Sequence, residues 1–183
     1  TGTLNMADLA ERLPPIYESR TVLAAFAFIS VGILLKLALF PLHLWLPNAY
    51  TYAPSVVTAF LAATATKVAL YLLLRFIYTV FGADFVFNIL PSSEVLLTLA
   101  LVGVVVASTV AIFQSDVKRL LAYSSVAQVG YIVLGISYAN VTGLTASIVH
   151  IFNHAVTKGA LFLVVGCVAY AAGSCRLESF AGL

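Results

Sequence analysis

Five apolar stretches dominate this 183-residue sequence, at about 21–50, 54–78, 95–114, 120–138 and 144–172. A helix needs about 20 residues, at 1.5 Å each, to cross about 30 Å of hydrocarbon. Each stretch meets or approaches that length. None alternates apolar and polar residues, and a few short strands could not close a barrel, so helices are left to satisfy the backbone in lipid. The chain is therefore expected to be all-α, a polytopic transmembrane bundle of about five helices. Only 9% of residues are charged and 62% are apolar, against about 25% charged in an average soluble domain. That excludes a soluble globule, a secreted module and a disordered chain. The net charge of +2 gives no reason to expect a nucleic-acid partner. Two cysteines, Cys167 and Cys175, make no disulfide framework. Thr1 stands where an initiator Met would, and no signal-peptide pattern follows, so the chain reads as a piece of a longer one.

Ahead of the transmembrane bundle, expected over 21–183, residues 1–20 form the most polar stretch. Met6, Leu9, Ala10 and Leu13 recur at helical spacing, and Pro14-Pro15 ends the pattern. This predicts a short amphipathic helix lying at the membrane interface. The first apolar stretch is unusual. After Lys36 it continues as LALFPLHLWLPNAYTYAP, with prolines at 41, 47 and 54. An interior Pro removes a backbone hydrogen bond and clashes with the preceding turn. The segment nevertheless stays apolar and aromatic to Tyr52. The pattern predicts a helix broken near Phe40-Pro41, with a second half running to about residue 50. Irregular backbone at membrane depth survives where protein or a water-filled cavity surrounds it, and in transporters such breaks mark ion pathways. The alternative is a helix that ends at Phe40 and is followed by an interfacial aromatic loop. Arg and Lys are evenly divided between the two sides, three against three, so charge bias does not orient the chain.

The remaining charges inside the apolar stretches are the functional clue, because ionisable groups at the bilayer centre are costly and mark ion pathways by default. Lys67 falls near the middle of the stretch from Pro54 to Tyr78, and Lys158 midway between Leu144 and Ala172. At the helical rise per residue both are about 17–21 Å from either end, too deep for a Lys stem to snorkel to water. Lys36 is equally deep only if the first stretch spans as a broken helix. His150, His154 and Lys158 follow at i, i+4 and i+8 and so share one helix face. Burial in a low-dielectric medium disfavours a charged amine, and imidazole titrates near neutrality, which suits a proton relay. The two His could also hold a metal, but no Cys or carboxylate close in sequence completes a ligand set, so no metal and no cofactor is expected. Tyr123, Ser124, Ser125 and Gln128 are secondary polar candidates, either helix–helix hydrogen-bonding groups or the lining of a water file. Asp116, Lys118 and Arg119 read as a solvated connection that fixes topology. No residue is assigned a catalytic role.

Taken together, four blocks resemble one family, in its order: KLALFPLHLWLPNAY (36–50), TATKVALYLLLRF (64–76), SDVKRLLAYSSVAQVGYI (115–132) and HIFNHAVTKGALFLVVG (150–166). They resemble the antiporter-like proton-translocating membrane subunits of NADH:quinone oxidoreductase (complex I) and of Mrp-type Na+/H+ antiporters, with related subunits in membrane-bound hydrogenases. The opening TGTLNMADLAERL and the Lys67 block look most like the D-type subunit of Mrp antiporters. The resemblance implies a fourteen-helix fold with two inverted five-helix repeats, of which this chain would be a fragment from about the seventh to the eleventh helix. Lys36 would be the lysine beside the first broken helix and Lys67 the connecting lysine. His150, His154 and Lys158 would lie on the hydrated central axis. The resemblance would put residues 1–20 on the outer side and Lys118–Arg119 on the cytoplasmic side. The usual carboxylate partner of Lys36 and the exit residue of the twelfth helix fall outside this sequence.

The implied function is proton passage within a multisubunit complex of a bacterial or archaeal cell membrane. Its partners would be other membrane subunits, lipid, H+ and, for an antiporter, Na+. Membership of a redox translocase would come from other subunits. Two alternatives of different class stay open at this stage, a passive structural membrane subunit and a subunit holding haem or quinone.

Overall fold

A computed structural model describes residues 2–182; Thr1 and Leu183, the outer ends of the expected interfacial segment and bundle, lie outside the described residues. The fold is all-helical. A short helix α1 (Met6–Arg12) leads into α2 (Arg20–Leu37), α3 (Trp45–Tyr52), α4 (Ser55–Arg75), α5 (Ser92–Ile112), α6 (Val117–Ser137) and α7 (Val141–Ala172). A π-helical turn, Phe76–Val80, extends α4, so that α2, the extended α4, α5, α6 and α7 are five helices long and apolar enough to cross a membrane.

The expected break is present, and proline chemistry explains it. In a continuing helix the nitrogen at position 41 would bond to the Leu37 carbonyl, but Pro41 has no N–H. Helix α2 ends at Leu37, Ala38 turns into the left-handed region with φ 60°, and the Phe40-Pro41 bond is cis. Pro47 lies in the first turn of α3, where its missing N–H removes no intrahelical bond. Ala53 is extended, as a residue before proline prefers, and Pro54 opens α4. The Trp45 indole nitrogen donates to the Leu35 carbonyl at 2.8 Å, which also accepts from the Ala38 N–H, and so ties the start of α3 to the last turn of α2.

Contacts place this break beside the middle of α5. Gly103 sits at the middle of α5, about equally far from Ser92 and Ile112. A Cβ there would lie only 2.9 Å from the Phe40 Cβ. The segment after Leu37 is therefore held against the middle of a long apolar helix and not against its end.

Helix α6 is the most enclosed of the five, packed by α5, α7 and α3. At Gly130 the α5 and α6 backbones approach so closely that a Cβ would meet Val104 Cγ2 at 2.8 Å. Ser147 of α7 donates its hydroxyl to the Ile132 carbonyl of α6 at 2.8 Å. Helices α4 and α7 run antiparallel, with Gly159 against Ala63 and Gly166 against Ser55. One apolar cluster, including Leu37, Leu70, Phe85, Val129 and Ile132, ties α2, α4, α5 and α6 together.

The expectation that Lys118 and Arg119 form a solvated connection is corrected. Both lie in the first turn of α6, whose N-cap is Asp116, with its carboxylate accepting from the Arg119 N–H at 2.9 Å. Lys118 is 6% exposed, because α3 packs over the start of α6.

Candidate functional site

Three helices bring the buried cations together. Lys67 lies at the centre of the extended α4, midway between Ser55 and Val80. The α4–α7 register that sets Gly159 against Ala63 brings His154 opposite Lys67, about one turn further along each helix. Lys158 follows one turn later on α7. Lys67, His154 and Lys158 are all buried.

Backbone carbonyls solvate the two amines. The Lys67 ammonium donates to the Ala62 carbonyl of its own helix. The Lys158 ammonium donates to the Leu121 carbonyl of α6 at 3.0 Å. Among the described residues no anion neutralises them from within the spans. Asp8, Glu11, Glu18, Asp84, Asp116 and Glu178 lie outside the long helices, and Glu94 lies in a first turn. A buried cation without a counter-ion is poor structural glue, because carbonyl hydrogen bonds offset only part of its desolvation.

The histidines differ in their surroundings. His150 Nε2 is 2.7 Å from Gln128 Oε1 of α6. With the Gln128 amide in this orientation its oxygen accepts, and the His150 Nε2–H donates. The two rings stack at a centroid distance of 6.3 Å and an angle of 10°. His154 is 4% exposed, and neither of its nitrogens finds a hydrogen-bond partner among the described residues. Both histidines, Lys158, Gln128 and Ser124 line a cavity of about 220 Å³. At about 30 Å³ per water molecule, that space suits several.

The remaining sequence candidates fall around this centre. Ser125 is buried but donates to the Leu121 carbonyl at 3.0 Å, within its own helix. Tyr123 faces a different group, the imidazole of His43, at 6.3 Å between ring centroids. Lys36 is exposed on the last turn of α2 and is not among the charges acting on Lys67 or His154.

Sequence reasoning passes over His43. It sits in the break, 6% exposed, stacked on Phe40 at 5.4 Å, and its Nδ1 has no partner among the described residues. Its position between Pro41 and Pro47, next to a predicted break, is the available signal. Among the described residues no three His, Cys, Asp or Glu side chains gather as a metal site.

Comparison with known proteins bears on the whole arrangement. A family model described as NADH:quinone oxidoreductase/Mrp antiporter, TM, matches residues 1–183. The chain belongs to this family. It is 48% identical over 183 residues to NADH-quinone oxidoreductase subunit N of Desulforudis audaxviator, covering 100% of this chain and 36% of the relative. It is 33% identical over 185 residues to the D subunit of the Na(+)/H(+) antiporter of Alkalihalophilus pseudofirmus, again covering 100% and 36%. Of these two, the oxidoreductase subunit is the more similar, although the opening and the Lys67 block look like the antiporter subunit.

Two solved structures share the fold. One is the membrane-bound sulfane sulfur reductase, an archaeal respiratory membrane complex, with a TM-score of 0.86 at 34% identity over 100% of this chain and 37% of that one. The other is the Mrp complex from Dietzia sp. DQ12-45-1b, with a TM-score of 0.85 at 30% identity over 97% and 32%. The chain spans about a third of the length of these relatives. The resemblance carried by the four blocks therefore holds. The chain is a stretch of an antiporter-like membrane subunit.

Proposed function

We propose that this stretch carries protons laterally through the interior of its subunit, along Lys67, His154 and Lys158, with His150 and Gln128 beside them. The observation that carries the reading is His154. A buried imidazole with both nitrogens unpaired among the described residues is expensive as a packing residue. Opposite Lys67, one turn from Lys158 and beside a cavity lined by several polar side chains, it is a group that can take up and release a proton. Two like charges in one low-dielectric site repel, so loading one member lowers the affinity of the next. That is a physical basis for stepwise transfer through bridging water. Lys36, on the last turn before the break, would exchange protons with this group by changing its pairing with a partner outside this chain. His43, at the break itself, is a further buried titratable group on that side.

The proposal extends to context. The subunit would sit in a bacterial or archaeal cell membrane, as part of a multisubunit complex with other membrane subunits and lipid. Residues 1–20 would lie at the outer surface and Lys118 towards the cytoplasm. H+ would be the transported ion, with Na+ as counter-ion if the complex is an antiporter. The energy source would reside in other subunits.

The test is Lys67→Ala in the full-length protein within its complex, with proton uptake measured in vesicles. A fall of about tenfold or more is expected if a carrier group is lost. Unchanged uptake in an assembled complex would sink the relay.

A further inference from the structure

The geometry points to Lys118 as a positioning residue for the proton axis, acting through the second half of the broken helix. This inference rests on the relay reading of Lys67 and Lys158. Lys118 is buried in the first turn of α6, and its ammonium donates to the Ala53 carbonyl at 3.2 Å. Ala53 is the C-cap of α3 and precedes a proline, so no following N–H at position 54 can serve the end of that helix. A cation at a helix C-terminus is favourable there, since the unpaired carbonyls carry the negative end of the helix dipole. Thr58 of α4 also donates to the Ala53 carbonyl at 3.2 Å and to the Tyr50 carbonyl at 3.0 Å. Thr58 belongs to the same helical hairpin as α3. Lys118 belongs to α6, so its bond links the half-helix to the central helix of the bundle.

What α3 carries makes that link matter. Tyr50 is 1% exposed and touches both amine-bearing helices. Its hydroxyl donates to the Leu61 carbonyl of α4 at 3.1 Å, next to the Ala62 carbonyl that holds the Lys67 ammonium. Its ring meets Phe162 of α7 edge-on at 5.7 Å. Phe162 lies one turn beyond Lys158. The half-helix thus forms a wall shared by the settings of both lysines, and Lys118 fixes that wall against α6. The Leu121 carbonyl, which holds Lys158, is in the same region of α6, about one turn after Lys118. Lys118 therefore sets the spacing between the Lys67 and Lys158 carbonyl sites without touching the transported proton.

The experiment compares Lys118→Met, Lys118→Gln, Lys118→Arg and Thr58→Val in the full-length protein within its complex. Amide hydrogen exchange over residues 45–53 reads the anchoring of α3, and vesicle proton uptake reads its consequence. A lost charge-assisted hydrogen bond should raise exchange over 45–53 about tenfold in Lys118→Met or Lys118→Gln, with α5 unchanged. Proton uptake should fall several-fold in the same variants. Lys118→Arg, which keeps charge and donors, should restore both to within about twofold. Thr58→Val should loosen the α3–α4 hairpin while keeping more uptake than Lys118→Met. Unchanged exchange in both neutral variants overturns the inference. So does an arginine variant as defective as methionine, or a Thr58→Val loss of uptake equal to that of Lys118→Met. A relay disproved by Lys67→Ala would leave the exchange result standing, so the two failures are distinguishable.

Discussion

At the scale of single residues, Tyr17 offers a clean titration outside the spans. Its hydroxyl donates to the Phe81 carbonyl, and its ring stacks on Phe85 at 4.3 Å. Burial first, and the nearby Asp84 carboxylate second, raise its pKa above the usual 10.0. A raised pKa means the protonated phenol is favoured by the fold. Its contribution is complete below about pH 10 and is lost as pH rises through the folded value. The contact of Tyr17 with the Phe81 carbonyl should therefore loosen only above that pH, in step with tyrosinate absorbance. In Tyr17→Phe that alkaline step should vanish, and an unaltered absorbance titration would contradict the assignment. Single residues also show where sequence reasoning stops. Lys67, His154 and Lys158 are recognisable because a charge far from both ends of an apolar run has few bland explanations. Their surroundings are not. The acceptors of the two lysines are the carbonyls of Ala62 and Leu121, and since every residue has a carbonyl, only packing selects one. Lys118 fails for a related reason: a basic residue beside Asp116 looks solvated until α3 is folded over it.

At the scale of elements, the break between α2 and α3 depends on one close approach. Gly103 is the contact that permits it. A side chain there must displace Phe40, whose Cβ would stand 2.9 Å from the new Cβ. Gly103→Leu should destabilise the protein by about 1–3 kcal/mol through overpacking. Gly103→Ala should cost less, since alanine gains up to about 1 kcal/mol in helix propensity over glycine. Thermal denaturation of the full-length protein measures both. Equal stability for Gly103→Leu would mean that the break is not pressed against α5. Apolar length alone is enough to read the five spans, because lipid leaves the backbone no other partner than itself. Prolines 41, 47 and 54 likewise announce the break and the second half-helix. The turn geometry is hidden. The left-handed residue is Ala38, where no glycine marks it. The chain tolerates this because Ala38, Leu39 and Phe40 are held from outside, by α5 among others.

At the scale of the whole molecule, α4, α6 and α7 enclose two amines and an imidazole and carry no carboxylate of their own, and this separates function from stability. If Lys67 and Lys158 served as structural glue through their carbonyl bonds, removing either should loosen the bundle. If they are carriers, they are retained despite their desolvation, and two like charges in one low-dielectric site repel each other. Methionine nearly matches the volume of lysine and fills the same channel without charge. Replacing buried charges by apolar groups of similar size is commonly neutral or stabilising, by as much as about 1–4 kcal/mol. Lys67→Met and Lys158→Met should therefore leave the thermal midpoint of the full-length protein unchanged or raised, while vesicle proton uptake falls about tenfold or more. The double variant should gain less than the sum of the single gains, because the repulsion between the two amines can be relieved only once. A lowered midpoint with uptake intact would identify the lysines as structural. The passive docking subunit would then be the better account of this chain, whatever its relatives do.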